Sequence, residues 1–122
     1  GFGAVSGIDF PGEAAGALPD YHRWYPIDHA TFSFGYGLSV SALQLARAYG
    51  VLADGGVLKP VSLLPVDKPP AGERVMSART AHQVMAMLDG VVSDEGTGEL
   101  ARVPDYHVAG KTGTVRKFVS GA

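Results

Sequence analysis

Two segments with helical spacing of apolar residues limit the possible folds most, because each must bury one face against another part of the chain. The first covers roughly residues 38–53, with Ser39 or Ser41 available as N-cap and Gly55 and Gly56 as the stop. The second begins near Ser77 and ends before residue 95. We predict helices near 40–54 and 78–92. Their predicted buried stripes are Leu38, Ala42, Leu45, Ala46, Tyr49 and Leu52 or Ala53, and Ala81, Val84, Met85, Leu88, Val91 and Val92.

The rest of the chain indicates loops and extended segments. Residues 1–37 are rich in Gly, Pro and aromatic residues without a sustained period, so they are predicted to be loops. Residues 57–66 are apolar but interrupted by two prolines, which favours an edge strand or an extended crossing. Residues 106–119 alternate and are rich in β-branched residues, so they are the main predicted strand. The predicted fold class is α+β, a mixed α/β chain.

Composition limits the class of function. The chain has 122 residues, enough for one compact domain, and its 10 basic and 12 acidic residues give a formal charge of −2, which does not favour nucleic acid. There is no cysteine, and the four histidines lack metal-ligand spacing. We therefore predict no metal and no other cofactor.

The segment Gly110–Thr114 carries the clearest chemistry, because a lysine and two threonines follow each other in a predicted strand. Alternation would place Thr112 and Thr114 on one face, and Gly113 would let a ligand come close. Hydroxyl groups beside an ammonium suit a carboxylate, and a strand can pair with an extended peptide. A nucleotide-binding P-loop is excluded, because Asp105 stands where that motif requires its first glycine.

Lys-Thr-Gly is also part of the signature set of penicillin-binding proteins and serine β-lactamases. The run from Phe34 to Tyr49 resembles a segment and core helix of class B penicillin-binding proteins. Further family segments are similar, in the same order, to residues 8–13, 95–98 and 108–117. The chain resembles most the septal, division-specific peptidoglycan D,D-transpeptidases of Gram-negative bacteria. The resemblance implies the fold shared by serine β-lactamases and these transpeptidases, with helices packed on an antiparallel sheet whose Lys-Thr-Gly strand is near the chain end.

The resemblance also implies roles for individual residues in an acyl-transfer reaction. Lys111 would face the serine of the family's second motif, help proton transfer and help bind the substrate carboxylate. Thr112 and Thr114 would bind that carboxylate, with Gly113 between them, and the Thr114 backbone N–H would be one oxyanion-hole donor.

Two further candidate substrate-binding residues keep an alternative interpretation. Tyr36 matches an aromatic residue of the family's substrate cleft, but an aromatic residue between two glycines is also an ordinary packing anchor. Arg116 would reach a ligand carboxylate, but a solvated arginine at a hairpin is nearly as good an interpretation. For each of these two residues, the sequence does not decide between substrate binding and a purely structural or solvent-exposed position.

The chain departs from the family pattern because it has no nucleophile motif. No serine is followed three residues later by lysine, and the sequence contains no asparagine that could complete a Ser-x-Asn motif. We expect residues 1–122 to be the later part of a transpeptidase domain, lacking the upstream motifs and the downstream strands and helix. Alone, the chain is expected to be inactive and to self-associate through an unpaired strand edge.

For the intact protein, the resemblance implies binding of D-Ala-D-Ala stem peptides and β-lactams, and divisome (cell-division) proteins as partners. It implies a location on the periplasmic face of the inner membrane, held by an N-terminal membrane helix that is absent here. The alternatives are a related serine β-lactamase or D,D-carboxypeptidase, and a non-catalytic interaction fragment. Lys-Thr-Gly alone does not separate these enzymes.

Overall fold

The computed structural model describes residues 1–113, which form two compact units. The first unit is Gly1–Ala81 and the second begins at His82. The helices are α1 (Pro26–Phe32), α2 (Ala42–Ala53) and α3 (Ala78–Val91), and the strands are β1 (Val57–Leu58) and β2 (Glu73–Arg74). Single 3-10 turns lie at Tyr21–Arg23 and Glu99–Ala101. The mixture of helices with an antiparallel sheet agrees with the predicted fold class.

Helix α1 was not predicted, because residues 1–37 carry no sustained apolar period. Its start nevertheless has a local cause. Pro26 is the first helical residue, where the missing N–H costs nothing, and the Asp28 carboxylate accepts a hydrogen bond from the Tyr25 N–H at 2.8 Å. The rest of the prediction for this region holds, since most of residues 1–37 form loops.

Both ends of α2 lie where the sequence predicted them. Ser41 is the N-cap, and its hydroxyl accepts a hydrogen bond from the Gln44 N–H at 3.2 Å. At the other end, Gly55 has a φ of 60°, which glycine adopts without strain. The N–H groups of Gly55 and Gly56 then donate to the carbonyls of Leu52 and Val51 at 3.3 and 2.7 Å. This arrangement is a Schellman motif, and it stops the helix.

The predicted buried face of α2 is wrong. Leu45 and Tyr49, from the predicted stripe, are exposed, whereas Gln44 and Val51 are buried and Ala48 is half-buried. The spacing 44, 48, 51 is that of one helix face, so the buried face is rotated from the predicted one. Sequence periodicity selected the wrong face because both faces of the helix carry apolar residues.

The two strands form a small antiparallel sheet beside α2. Val57 pairs with Arg74 and Leu58 pairs with Glu73, and β1 packs against α2. The predicted strand over residues 57–66 is thus present only as its first two residues, because Pro60 and Pro65 cannot donate to a ladder. An isolated antiparallel bridge also joins Ala17 and Ser39.

Helix α3 confirms its prediction in position and buried face. The Ser77 hydroxyl accepts a hydrogen bond from the Thr80 N–H at 3.0 Å, as expected for an N-cap. Ala81 is fully buried, and Val84, Met85, Leu88 and Val91 are half-buried. Within residues 1–113, no helix has the length and apolar character needed to cross a membrane.

The predicted strand over residues 106–119 is wrong for its described part, because residues 106–113 belong to no strand. An extended run becomes a strand only when a neighbouring segment pairs with it, and the N–H of Gly110 donates instead to the end of a helix. The unpaired strand edge expected to cause self-association is therefore not formed by residues 106–113. The part of this prediction that concerns residues 114–119 lies outside the described residues.

Candidate functional site

The candidate site in the second unit is built on the C-terminal end of α3. The last carbonyl groups of an α-helix lack intrahelical partners and need donors from elsewhere. The Gly110 N–H donates to the Leu88 carbonyl at 3.1 Å, and the Gly98 N–H donates to the Val91 carbonyl at 2.8 Å. Two segments that follow α3 are thereby fixed to the same helix end.

The segment Glu95–Gly98 approaches this helix end closely at Gly96. A β-carbon at Gly96 would overlap the carbonyl group of Val91 and the carbonyl oxygen of Gly90, so only glycine fits without a shift of the backbone. The Gly96 N–H donates to the Ser93 carbonyl at 2.9 Å. This fit places the next residue, Thr97, beside the segment that carries Lys111.

Lys111, Thr112 and Thr97 form a small polar cluster. The Lys111 ammonium donates to the Thr112 carbonyl and to the Thr112 hydroxyl, each at 3.0 Å. The hydroxyl oxygens of Thr112 and Thr97 lie 3.3 Å apart. All three residues and Gly113 are exposed, so the cluster offers one cation and two hydroxyls to a ligand. Such a group of donors suits a carboxylate.

Polar contacts also fix the chain between Arg102 and His107 to the end of α3. Arg102 donates from Nε to the Val92 carbonyl at 2.8 Å and pairs with Asp94 at 2.5 Å. His107 Nε2 lies 3.2 Å from a carboxylate oxygen of Asp89. An open groove of about 600 Å³ is bordered by Asp89, Arg102 and His107, but not by Lys111 or Thr112. We therefore assign the groove no part in the site.

Tyr36 lies in the first unit, and its loop is fixed within that unit. Its N–H donates to the Thr31 carbonyl at the end of α1 at 3.0 Å, and its ring centroid is 6.1 Å from that of Phe34. The side chain is partly exposed, at 38% for the residue. Tyr36 and Lys111 thus belong to different compact units.

The remaining predicted site residues, Thr114 and Arg116, lie outside the described residues. Sequence reasoning missed Thr97, which contacts Thr112 although 15 positions separate them. The signal was present, because residues 95–98 already stood out as a segment resembling the family. Among residues 1–113, no group of three or more acidic or histidine side chains is arranged to hold a metal ion.

Comparison with known proteins gives a consistent result. The family model for the penicillin binding protein transpeptidase domain matches residues 1–122. The probable peptidoglycan D,D-transpeptidase PenA of Neisseria meningitidis serogroup A is 47% identical over 121 residues, which are 99% of this chain and 21% of the relative. The peptidoglycan D,D-transpeptidase FtsI of Escherichia coli is 41% identical over 117 residues, which are 96% of this chain and 20% of the relative.

Solved structures agree with the sequence relatives. The transpeptidase domain of Burkholderia pseudomallei penicillin-binding protein 3 superposes with a TM-score of 0.91 at 48% identity, covering 98% of this chain and 37% of that one. Penicillin-binding protein 3 of Mycobacterium tuberculosis gives a TM-score of 0.85 at 34% identity, covering 98% of this chain and 30% of that one. The chain spans about a fifth of the length of the curated relatives PenA and FtsI. It belongs to the family of penicillin-binding protein transpeptidase domains.

Proposed function

We propose that this chain supplies the carboxylate-binding segment of a peptidoglycan D,D-transpeptidase that cross-links stem peptides and is acylated by β-lactams. The polar cluster of Lys111, Thr112 and Thr97 carries the proposal. It offers an ammonium and hydroxyl groups together at an exposed position, and its backbone is tied to α3 through Gly110. A D-Ala-D-Ala stem peptide ends in a carboxylate, and a β-lactam carries one in a similar position.

The proposed reaction is an acyl transfer. A serine in the full-length protein attacks the penultimate D-Ala carbonyl, the terminal D-Ala leaves with its new amine proton, and an amine from a neighbouring strand takes the acyl group. Lys111 assists proton transfer at a second serine and, with Thr112 and Thr114, binds the substrate carboxylate. The Thr114 N–H donates to the oxyanion of the tetrahedral intermediate. The ordered attachment of Gly110 to α3 supports this role, since preorganised donors stabilise developing charge best.

The proposal gives two further residues a place in substrate binding. Tyr36 lines the cleft on the stem-peptide side, which is supported by its partial exposure and by the fixed backbone of its loop. Arg116 is proposed to bind the ligand carboxylate, as the family resemblance implies. The proposed domain is the partial transpeptidase domain over residues 1–122.

The cellular setting is a proposal of the same kind. Relatives of this chain are bacterial D,D-transpeptidases, and one of them is FtsI. We place the full-length protein on the periplasmic face of the inner membrane, working in septal cell-wall synthesis with divisome proteins. Depletion of the protein should then produce filaments with unfinished septa, and normal division with altered cell width would contradict a septal role.

Replacement of Lys111 by alanine in the full-length protein tests the proposal. Proton transfer by a positioned side chain contributes about 10² to 10⁴ in rate, so we expect acylation by benzylpenicillin to slow by at least about a hundredfold. The control is Lys68→Ala, which removes an exposed lysine from the loop between the strands and should leave the rate unchanged. Stopped-flow acylation of the Lys111→Ala variant at the parent rate would remove Lys111 from the mechanism.

The lifetime of the acyl-enzyme, the release of D-Ala and the transfer of the acyl group to an added amine separate the alternative activities. A transpeptidase stays acylated by benzylpenicillin for long times, whereas a serine β-lactamase hydrolyses its acyl-enzyme and turns the drug over. A D,D-carboxypeptidase releases D-Ala from a stem peptide but does not transfer the acyl group to an added amine. A non-catalytic protein forms no acyl-enzyme at all. Relatives named D,D-transpeptidase support the first outcome.

A further inference from the structure

Gln44 is the one polar side chain that is buried among residues 1–113, with an exposed fraction of 3%. It occupies the first turn of α2, a place where glutamine normally reaches back to the helix cap. A buried amide is costly unless its donors and acceptor are satisfied. Its hydrogen-bond partners therefore indicate why a polar residue is retained there.

The Gln44 amide connects two separate parts of the first unit. Its Nε2 donates to the carbonyls of Ala15 and Ala4 at 2.7 and 2.8 Å, and a longer contact of 3.4 Å reaches the carbonyl of Gly1. Its Oε1 accepts from the Ser41 N–H at 2.8 Å. The partners fix the orientation of the amide, because carbonyl oxygens need the NH₂ group and a backbone N–H needs the oxygen.

The Gln44 contacts reach both chain segments that form the Ala17–Ser39 bridge, and this bridge closes the loop that contains Tyr36. Ala17 and Ser39 exchange two backbone hydrogen bonds, at 2.7 and 2.9 Å. Ala15 is two residues before Ala17, and Ser41 is two residues after Ser39. The Gln44 side chain therefore links the two segments of the bridge at Ala15 and Ser41, two residues beyond the paired residues Ala17 and Ser39.

The bridge in turn fixes the loop that carries Tyr36. Ser39 follows Tyr36 by three residues, and the loop is held at its other side by the bond from the Tyr36 N–H to the Thr31 carbonyl. An isolated two-residue bridge has little stability of its own. Without the Gln44 amide, the Ala17–Ser39 bridge would open more often than the hydrogen bond between the Tyr36 N–H and the Thr31 carbonyl.

We propose that Gln44 is a positioning residue, which sets the place of Tyr36 in the substrate cleft by holding the Ala17–Ser39 bridge closed. The inference rests on the proposed function, because Tyr36 matters for turnover only if the loop borders the substrate. Gln44 itself touches no substrate. It acts through the backbone of residues 36–39.

The first test measures the bridge without using activity. In the full-length protein, Gln44→Glu keeps the size and the acceptor oxygen but replaces the NH₂ donors by an oxygen facing the carbonyls of Ala4 and Ala15. We expect the Ala17 and Ser39 amides to exchange hydrogen about tenfold faster, read by mass spectrometry on short peptides. Gln44→Met, neutral and of similar length, is the second variant if the glutamate variant does not fold.

Two controls isolate the effect on the bridge. Ser41→Ala removes the other half of the same capping box but leaves the bonds from Gln44 to Ala4 and Ala15, so it should not speed exchange at Ala17. Gln83→Glu introduces the same change at an exposed position on α3 and should have no effect. Unchanged exchange in both Gln44 variants, or equal acceleration in Ser41→Ala, would overturn the inference.

The second test asks whether Gln44 acts through Tyr36. Misplacement of a binding group by about 1 Å can cost as much as a hundredfold in rate, so we expect Gln44→Glu to slow benzylpenicillin acylation by about ten- to a hundredfold. The double variant with Tyr36→Ala should be no slower than Tyr36→Ala alone, because the two changes share one cause.

The kinetic outcomes separate this inference from the proposed function. Additive effects of the two substitutions, or acylation of Gln44→Glu at the parent rate, would overturn the positioning role. A slow Gln44→Glu variant combined with a fully active Tyr36→Ala variant would overturn it as well, since Gln44 would then act elsewhere. The Lys111→Ala result decides the proposed function independently of all of these.

Discussion

Local contacts hold the Lys111 ammonium beside the hydroxyl group of Thr112. An ammonium group has three hydrogens, and its two observed contacts both go to oxygens of the neighbouring Thr112. The contacts keep the cation beside the Thr112 hydroxyl while the side chain stays exposed. A carboxylate arriving at this position would meet both groups together, which supports a role in binding as well as in proton transfer.

Arg102 is the residue whose loss should most directly loosen the end of α3. We expect Arg102→Ala to lower the free energy of unfolding by about 1 kcal/mol, because it removes the hydrogen bond to the Val92 carbonyl. The exposed pair with Asp94 should add little. Arg79→Ala, at an exposed position in the first turn of α3, is the control, and thermal unfolding is the measurement. Equal stability of the two variants would contradict this role.

The residues of the site differ in how far the sequence could predict them. Lys111 and Thr112 are neighbours, so a strand motif was enough to place them together. The contact of Thr97 with Thr112 depends on the bond from the Gly98 N–H to the Val91 carbonyl, which no local pattern encodes. Gln44 was missed for a similar reason. Its burial follows from carbonyl groups up to 43 positions away in the sequence.

At the level of elements, helix ends were predicted better than helix faces. The caps at Ser41, Gly55 and Ser77 are local, so residue type and position determine them. The buried face of α2 depends on what packs against it, and the sequence offered two apolar faces. Strands were predicted least well, because pairing needs a partner far along the chain. The N–H of Gly110 illustrates this, since it bonds to a helix end and not to a strand.

The junction between α3 and the Glu95–Gly98 segment allows a paired prediction of opposite sign. Gly96→Ala should destabilise the protein by about 1–3 kcal/mol, because the new methyl group would overlap backbone atoms of Val91 and Gly90 that cannot move aside. Gly90→Ala should stabilise it by about 0.5–1 kcal/mol, because Gly90 is helical and a β-carbon there meets nothing within 4 Å.

Thermal unfolding of the two variants beside the parent protein measures both effects. The Gly96 variant should also acylate more slowly, since Thr97 would move away from Thr112, whereas the Gly90 variant should acylate at the parent rate. A Gly96→Ala variant as stable as Gly90→Ala would show that the segment does not pack on α3 as described.

At the scale of the whole molecule, the chain belongs to a family of acyl-transfer enzymes but lacks the nucleophile motif of that family. The family model matches all 122 residues, yet no serine in the sequence is followed by lysine at the third position. The polar cluster of Lys111, Thr112 and Thr97 is thus present, whereas the nucleophile motif is not. Relatives are about five times as long, so the nucleophile of the full-length protein is expected in the part that this chain does not span.

The 122-residue chain alone should therefore form no covalent adduct with benzylpenicillin. Acylation needs a nucleophile activated by an adjacent base, and none of the eight serines (Ser6, Ser33, Ser39, Ser41, Ser62, Ser77, Ser93 and Ser120) has the lysine that the family motif requires. Intact-mass spectrometry after incubation with the drug is the measurement, with the full-length protein as the positive control. An unchanged mass is expected even at drug concentrations that acylate the full-length protein completely. A stable mass increase of one drug molecule that peptide mapping assigns to a serine would contradict this prediction.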